Sequence, residues 1–86
     1  ISSVLSYGQE KLELGKNEFG ILRTLMEHPG KIIERSVLIR NLWETESFID
    51  DNTLTVNVTR LRRRLEDIGL KNYILTRKGM GYYVEE

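Results

Sequence analysis

Cysteine is absent from this 86-residue chain, which excludes a disulfide frame and thiolate chemistry. A small domain without such staples fits a reducing cytosol, so a cytoplasmic location is expected. No apolar run approaches the roughly 20 residues that span a bilayer. The N-terminus also lacks the charged-then-apolar pattern of a secretion signal, and no membrane partner is expected. Repeats and low-complexity segments are missing. So are a nucleophile–base pair, a P-loop and metal-ligand spacing. The chain does not read as an enzyme, and neither a metal nor another cofactor is expected. His28, the only histidine, precedes Pro29 and reads as a capping or solvated position. A chain of this length makes one domain, 1–86, able to bury only about 60–65% of its unfolded surface.

Net charge is missing too, which at first argues against nucleic acid. Its distribution argues the other way. Residues 1–50 hold six Lys/Arg and eight Asp/Glu, a net of −2. Residues 51–84 hold seven Lys/Arg and three Asp/Glu, a net of +4, and Glu85 and Glu86 restore zero. A partner feels the patch within a Debye length of about 8–10 Å, not the sum over the chain.

Acidic residues are absent from one further place, the run from Asn52 to Arg64. Leu54, Val58, Leu61, Leu65 and Ile68 recur there at spacings of four, three, four and three. That is one stripe of an amphipathic helix. At about 100° per residue, Val56 lies roughly 160° from the centre of the stripe. An apolar side chain therefore faces outward, with Asn52, Thr59, Arg60 and Arg63 around it. A solvated helix back usually mixes acids with bases. Phosphate donors, small polar groups and one exposed valine suit a helix lying in a DNA major groove. A solvated arginine-rich face is the plainer alternative.

The remaining elements follow from period and punctuation. Val4–Tyr7 and Lys11–Leu14 alternate as two short strands around a turn at Gly8-Gln9-Glu10. Phe19, Ile21, Leu22, Leu25 and Met26 define a first helix from about Lys16 to Glu27. His28-Pro29-Gly30 ends it. Lys31-Ile32-Ile33 is long enough for one minimal strand. Val37, Leu38, Leu42 and Trp43 define a short second helix, and Glu44–Phe48 a polar loop. Asp50 or Asp51 caps the long third helix, and Gly69 ends it. Tyr73–Thr76 and Tyr82–Val84 are β-rich, with Arg77-Lys78-Gly79-Met80-Gly81 as a basic hairpin tip between them. The class is α+β. Two helices before a basic third helix make a helix-turn-helix with a long connection, and the hairpin after it is a wing able to reach the neighbouring minor groove.

The residues that carry a family resemblance are Leu14-Gly15-Lys16-Asn17-Glu18-Phe19 and His28-Pro29-Gly30-Lys31-Ile32-Ile33. To these add Leu42-Trp43, the run Val56 to Leu65, and Thr76-Arg77-Lys78-Gly79-Met80-Gly81-Tyr82. Together they resemble the effector domain of OmpR/PhoB-type response regulators, which are winged helix-turn-helix transcription factors. The resemblance implies sequence-specific binding of double-stranded DNA. It places Val56 and Arg60 against bases, and Asn52, Asn57, Thr59 and Arg62 against phosphates or base edges. Trp43 packs near the DNA backbone, and Thr76, Lys78, Gly79 and Tyr82 are wing contacts. Arg60, Arg62, Arg63, Arg64, Arg77 and Lys78 supply the electrostatic attraction. The loop with Glu44, Glu46, Ser47, Phe48 and Asp50 resembles the one implicated in touching RNA polymerase. Family members carry an N-terminal receiver domain, phosphorylated by a sensor histidine kinase, through which they form homodimers on direct-repeat sites. That receiver is absent from this chain. The string Asp51 to Arg60 resembles the subgroup answering cell-envelope stress and antimicrobial peptides.

Several positions depart from the family pattern. Gly15 stands where Ser or Thr usually completes a capping box with Glu18, so the reciprocal side-chain bond is lost. Glu34 is a poor N-cap where Ser or Thr is common. Lys78 replaces the usual wing Arg, keeping charge but losing the planar fork. Only two strands fit before Gly15 where the family has four, which reads as a trimmed or partly ordered domain. Among the other readings, a winged helix can serve as a protein–protein adaptor. Glu44, Glu46, Asp50 and Asp51 can be a solvated loop. Trp43 and Tyr82 can pack or stack on bases, whereas Tyr83 reads as packing.

Overall fold

The computed structural model describes residues 3–44 and 49–85. Strands β1 (Ser3–Tyr7) and β2 (Glu10–Leu14) form an antiparallel hairpin with Leu5 opposite Leu12. Gly8 takes φ +62° in its turn, a left-handed backbone that only glycine adopts without strain. Helix α1 (Lys16–Met26) buries Ile21, Leu22 and Leu25 at helical spacing, together with Glu18. Its last residue is Met26, with Glu27 as C-cap. The turn after it is tied to the far end of the chain, because Gly30 N donates to Val84 O at 2.7 Å.

Strand β3 (Ile33–Glu34) leads straight into α2 (Arg35–Glu44), which buries Leu38 and Leu42. Helix α3 (Asp51–Asp67) is the longest element. Its apolar stripe is buried as its spacing requires: Leu54, Val58, Leu61, Leu65 and Ile68 all lie in the interior. Leu54, Val58, Leu61 and Leu65 meet Ile21, Leu22 and Leu25 of α1 and Leu38 and Leu42 of α2 in one core. Asp50 caps α3 by accepting from Thr53 N at 2.8 Å. The Thr53 backbone amide, then its side chain, hold the Asp50 carboxyl below its ordinary range. A carboxyl depressed by folding stabilises the fold above its unfolded pKa, and that help is lost as pH falls through the folded value.

Strands β4 (Leu75–Arg77) and β5 (Gly81–Tyr83) form the terminal hairpin. The short β3 joins it, giving a three-stranded antiparallel sheet in the order β3-β5-β4. The sequence places a strand at 31–33 without a partner. The structure sets it two residues later, and its partner is the wing, 49 residues away at the Ile33–Tyr82 pair. β4 also starts later than Tyr73. The Ile74 carbonyl is taken by Arg62 Nε at 3.0 Å, and the Ile74 side chain is buried, so it serves the core rather than the ladder.

Gly81 sits where the chain has room for nothing larger. A Cβ there would overlap the backbone of Ile33 and Glu34 on β3. Gly79 at the wing tip needs its glycine for another reason: φ is +77°, with open space around it. Gly81→Ala is expected to cost about 1–3 kcal/mol by forcing β3 from β5. Gly79→Ala should cost roughly 1 kcal/mol, from backbone strain alone. Urea denaturation midpoints test this, and a Gly81→Ala loss no larger than that of Gly79→Ala would contradict the close approach.

Candidate nucleic-acid interface

Helix α3 sorts its side chains by angle around its axis. Asn52, Val56, Thr59 and Arg63 follow one another at spacings of four, three and four, which is the face opposite the buried stripe. All four are exposed, as is Arg60, and Val56 stands 52% accessible. Val56, Thr59, Arg60 and Arg63 line a shallow open hollow along the helix with Thr55. The wing tip adds Arg77 and Lys78, both exposed, and Met80 N closes the turn on Arg77 O at 2.9 Å. Among the described residues Arg60, Arg63, Arg77 and Lys78 make no ion pair. Their charge is therefore available to an anion.

Three predicted contact residues lie elsewhere. Asn57 is buried at 8% accessibility, and its Nδ2 donates to Thr53 O at 2.8 Å. It sits three residues after Leu54 and four before Leu61, so it flanks the apolar stripe. That spacing was the available signal. Arg62 lies on the other flank, three residues before Leu65. Its Nε donates to Ile74 O and its Nη2 to Thr76 Oγ1. Tyr82 is buried, with its hydroxyl accepting from Arg35 Nη1 at 2.6 Å. Arg64, counted with the attractive charges, points away from the outer face. Its Nη1 meets Glu18 Oε1 at 2.5 Å, and its Nη2 donates to Glu13 O. For Arg62 and Arg64 the reason is helix geometry: residues at the edge of a buried stripe are drawn to the neighbouring element rather than to solvent.

Trp43, in the last turn of α2, is half-exposed, and its Nε1 donates to Ile49 O at 2.9 Å, tying the end of α2 to the approach to α3. With Arg35, Ile39, Arg40, Asp51 and Met80 it lines an open groove of about 530 Å³ between α2, the start of α3 and the wing. Thr76 is exposed on β4, opposite Tyr82. Gly79 is at the tip. Of the loop residues, Glu44 is exposed at the end of α2, and Asp50 is exposed with its carboxylate engaged by the α3 cap. Glu46, Ser47 and Phe48 lie outside the described residues.

Among the described residues no helix is long and apolar enough to cross a membrane. A family model described as "Transcriptional regulatory protein, C terminal" matches residues 8–84. The sensory transduction protein BceR of Halalkalibacterium halodurans is 54% identical over 85 residues, covering 99% of this chain and 37% of that protein. The response regulator protein GraR of Staphylococcus haemolyticus is 46% identical over 79 residues, 92% of this chain and 35% of that protein. The chain thus spans little more than a third of these relatives. Among solved structures, the C-terminal domain of the nisin resistance regulator NsrR, a lantibiotic response regulator, superposes with a TM-score of 0.87 at 41% identity. That match covers 96% of this chain and 84% of the other. The DNA-binding domain of Klebsiella pneumoniae RstA, in complex with the RstA box, gives 0.72 at 27% identity, covering 95% and 96%.

The two flanks and the outer face separate by mutation. Asn57→Asp, which buries a carboxylate beside the Thr53 carbonyl, is expected to lower unfolding free energy by roughly 1–3 kcal/mol. Arg60→Ala should leave stability within about 0.5 kcal/mol. It should instead weaken a specific duplex by about 1–3 kcal/mol and relax preference at one base pair. Denaturation and duplex titration of both variants read these outcomes. Loss of specific and non-specific binding in equal measure would remove Arg60 from base reading.

Proposed function

The chain belongs to the OmpR/PhoB-type transcriptional regulator C-terminal family, the winged-helix DNA-binding effector domains of response regulators, and from that premise we propose how it engages its site. The outer face of α3 enters the major groove, with Val56 and Arg60 reading base edges and Asn52, Thr59 and Arg63 beside them. The wing tip, with Arg77, Lys78 and Gly79, lies against the adjoining backbone or minor groove. The observation that carries this reading is the outer face of α3 from Asn52 to Arg63, which holds no acid, whose arginines Arg60 and Arg63 make no ion pair among the described residues, and whose one apolar group, Val56, is exposed. Thr76 contributes from the base of the wing and Trp43 from the end of α2, whereas Tyr82, buried with its hydroxyl taken by Arg35, supports the wing from within. Arg62 acts through Thr76 rather than as a free cation.

In the wider protein this domain would be joined to a receiver domain, phosphorylated by a sensor histidine kinase and providing the homodimer contact. The relatives named as a sensory transduction protein and a response regulator protein support that organisation. The likeness to a lantibiotic response regulator supports an input of the antimicrobial-peptide class. The connection from Glu44 to Asp50 would touch RNA polymerase. The site of action is the cytoplasm.

Binding should be strongly salt-dependent. With about four to six phosphates contacted, the slope of log K against log salt should be near −4 to −5. Lys78→Ala should make it shallower by roughly one and weaken all duplexes alike. A slope near zero between 50 and 200 mM salt would favour the protein–protein adaptor reading.

Two copies are expected head-to-tail on a direct repeat, with half-sites about one helical turn apart. One helix and one wing cover only part of a typical site, and no long heptad run imposes a two-fold dimer. The measurement is affinity as the spacer changes in single base-pair steps. Preference recurring at one-turn spacing supports tandem binding; a preference for inverted repeats, or none at all, contradicts it.

A further inference from the structure

Nothing in the sequence pattern singles out Arg35, yet among the described residues it makes four hydrogen bonds within the chain, against two each for Arg62 and Arg64. It is the first residue of α2, directly after β3. Its Nε donates to Asp51 Oδ1 at 3.2 Å, and its Nη2 to Asp51 O at 2.6 Å and to Thr55 Oγ1 at 2.8 Å. Its Nη1 donates to the Tyr82 hydroxyl at 2.6 Å. Asp51 and Thr55 belong to the opening of α3, and Tyr82 to the central strand of the wing sheet.

The Tyr82 ring is also approached by two guanidinium groups. Arg35 Cζ lies 5.7 Å from the ring centre and Arg62 Cζ 5.5 Å. Arg62 extends the connection by donating to Ile74 O and Thr76 Oγ1 at the start of β4. A planar fork with fixed donor directions can hold such a junction at one geometry, whereas a single ammonium cannot. A direct role for Arg35 on phosphate fits poorly. Four of its five N–H donors are engaged within the chain. Its side chain is only 32% accessible, and the Asp51 carboxylate partly cancels its charge.

We infer that Arg35 is a positioning residue: through Tyr82 it sets the wing against the opening of α3, so that helix and wing tip engage one duplex together. This rests on the DNA-binding reading above. It makes the contribution of Lys78 at the wing tip depend on Arg35, although the two do different jobs.

The test has one arm with DNA and one without. In a double-mutant cycle, Lys78→Ala should weaken duplex binding about 5- to 10-fold in the wild-type background and less than about 2-fold in Arg35→Ala. Hydroxyl-radical protection of the minor groove beside the half-site should disappear in Arg35→Ala while major-groove methylation protection persists. The same Lys78 factor in both backgrounds would mean independent contacts and overturn the inference. Tyr82→Phe removes only the hydroxyl and repeats the cycle should Arg35→Ala fail to fold; an undiminished Lys78 factor there overturns it equally.

Without DNA, amide exchange of β4 and β5 should accelerate at least tenfold in Tyr82→Phe or Arg35→Ala, with α1 amides unchanged. Uniform acceleration, or none, would also overturn the positioning role. Failure of the wild type to bind duplex would count against the DNA reading alone, since the exchange arm stands without it.

Discussion

The burial of one stripe of α3 is the constraint on which the outward-facing chemistry depends. A helix is free to rotate about its axis until something holds one side. Leu54, Val58, Leu61 and Leu65 are each almost wholly removed from water. Full burial of such a side chain is worth about 1.5–3 kcal/mol. An exposed ion pair is worth roughly 0–1 kcal/mol. Packing therefore decides the rotation of α3 by a wide margin, and the arginines take the directions left to them. Val56 is exposed because the opposite face is buried, not because solvent favours it.

The arginines of α3 consequently divide by angle. Arg60 and Arg63 fall on the outer face and keep their charge for a partner. Arg64 falls toward α1 and is consumed by Glu18 and the Glu13 carbonyl. Arg62 falls toward the wing, where it caps the Ile74 carbonyl and Thr76. A stretch that looks uniformly basic in the sequence is therefore partly scaffold. The scaffold share matters to recognition all the same, because Arg62 and Arg35 together fix the sheet that carries Arg77 and Lys78.

What could be read from the sequence was mostly local. The stripe of α3, its outer face, the cap near Asp50, the turn at Pro29 and the glycine-rich wing tip all follow from spacing or backbone chemistry within a few residues. Long-range partnerships could not be read that way. Arg35 meets Tyr82 across 47 residues, and Arg64 meets Glu18 across 46. Neither pairing leaves a periodic trace, and an arginine looks the same whether it will be free or buried in a junction. The pairing of β3 with the wing belongs to the same class. Asn57 is different: its 3,4 spacing to Leu54 and Leu61 already put it beside the core, whereas the family resemblance implies a contact with DNA.

The departures from the family pattern at Gly15 and Glu34 find their compensation in these same junctions. Without a hydroxyl at Gly15, α1 keeps only the reverse half of a capping box, Gly15 N to Glu18 Oε1 at 3.1 Å. The same Glu18 oxygen accepts from Arg64, so a charge-assisted bond from α3 pins the start of α1 where the missing cap would have acted. At the other helix, Glu34 is held by its backbone in β3, opposite Gly81, and needs no capping role for α2 to start at Arg35. Arg35 then ties that start to α3. In both places a local end effect, worth about 1 kcal/mol in the usual cap, is replaced by a link between elements. The replacement couples helix ends to tertiary structure. In this chain one side chain, Arg35, links the entry to α2 with both α3 and the wing.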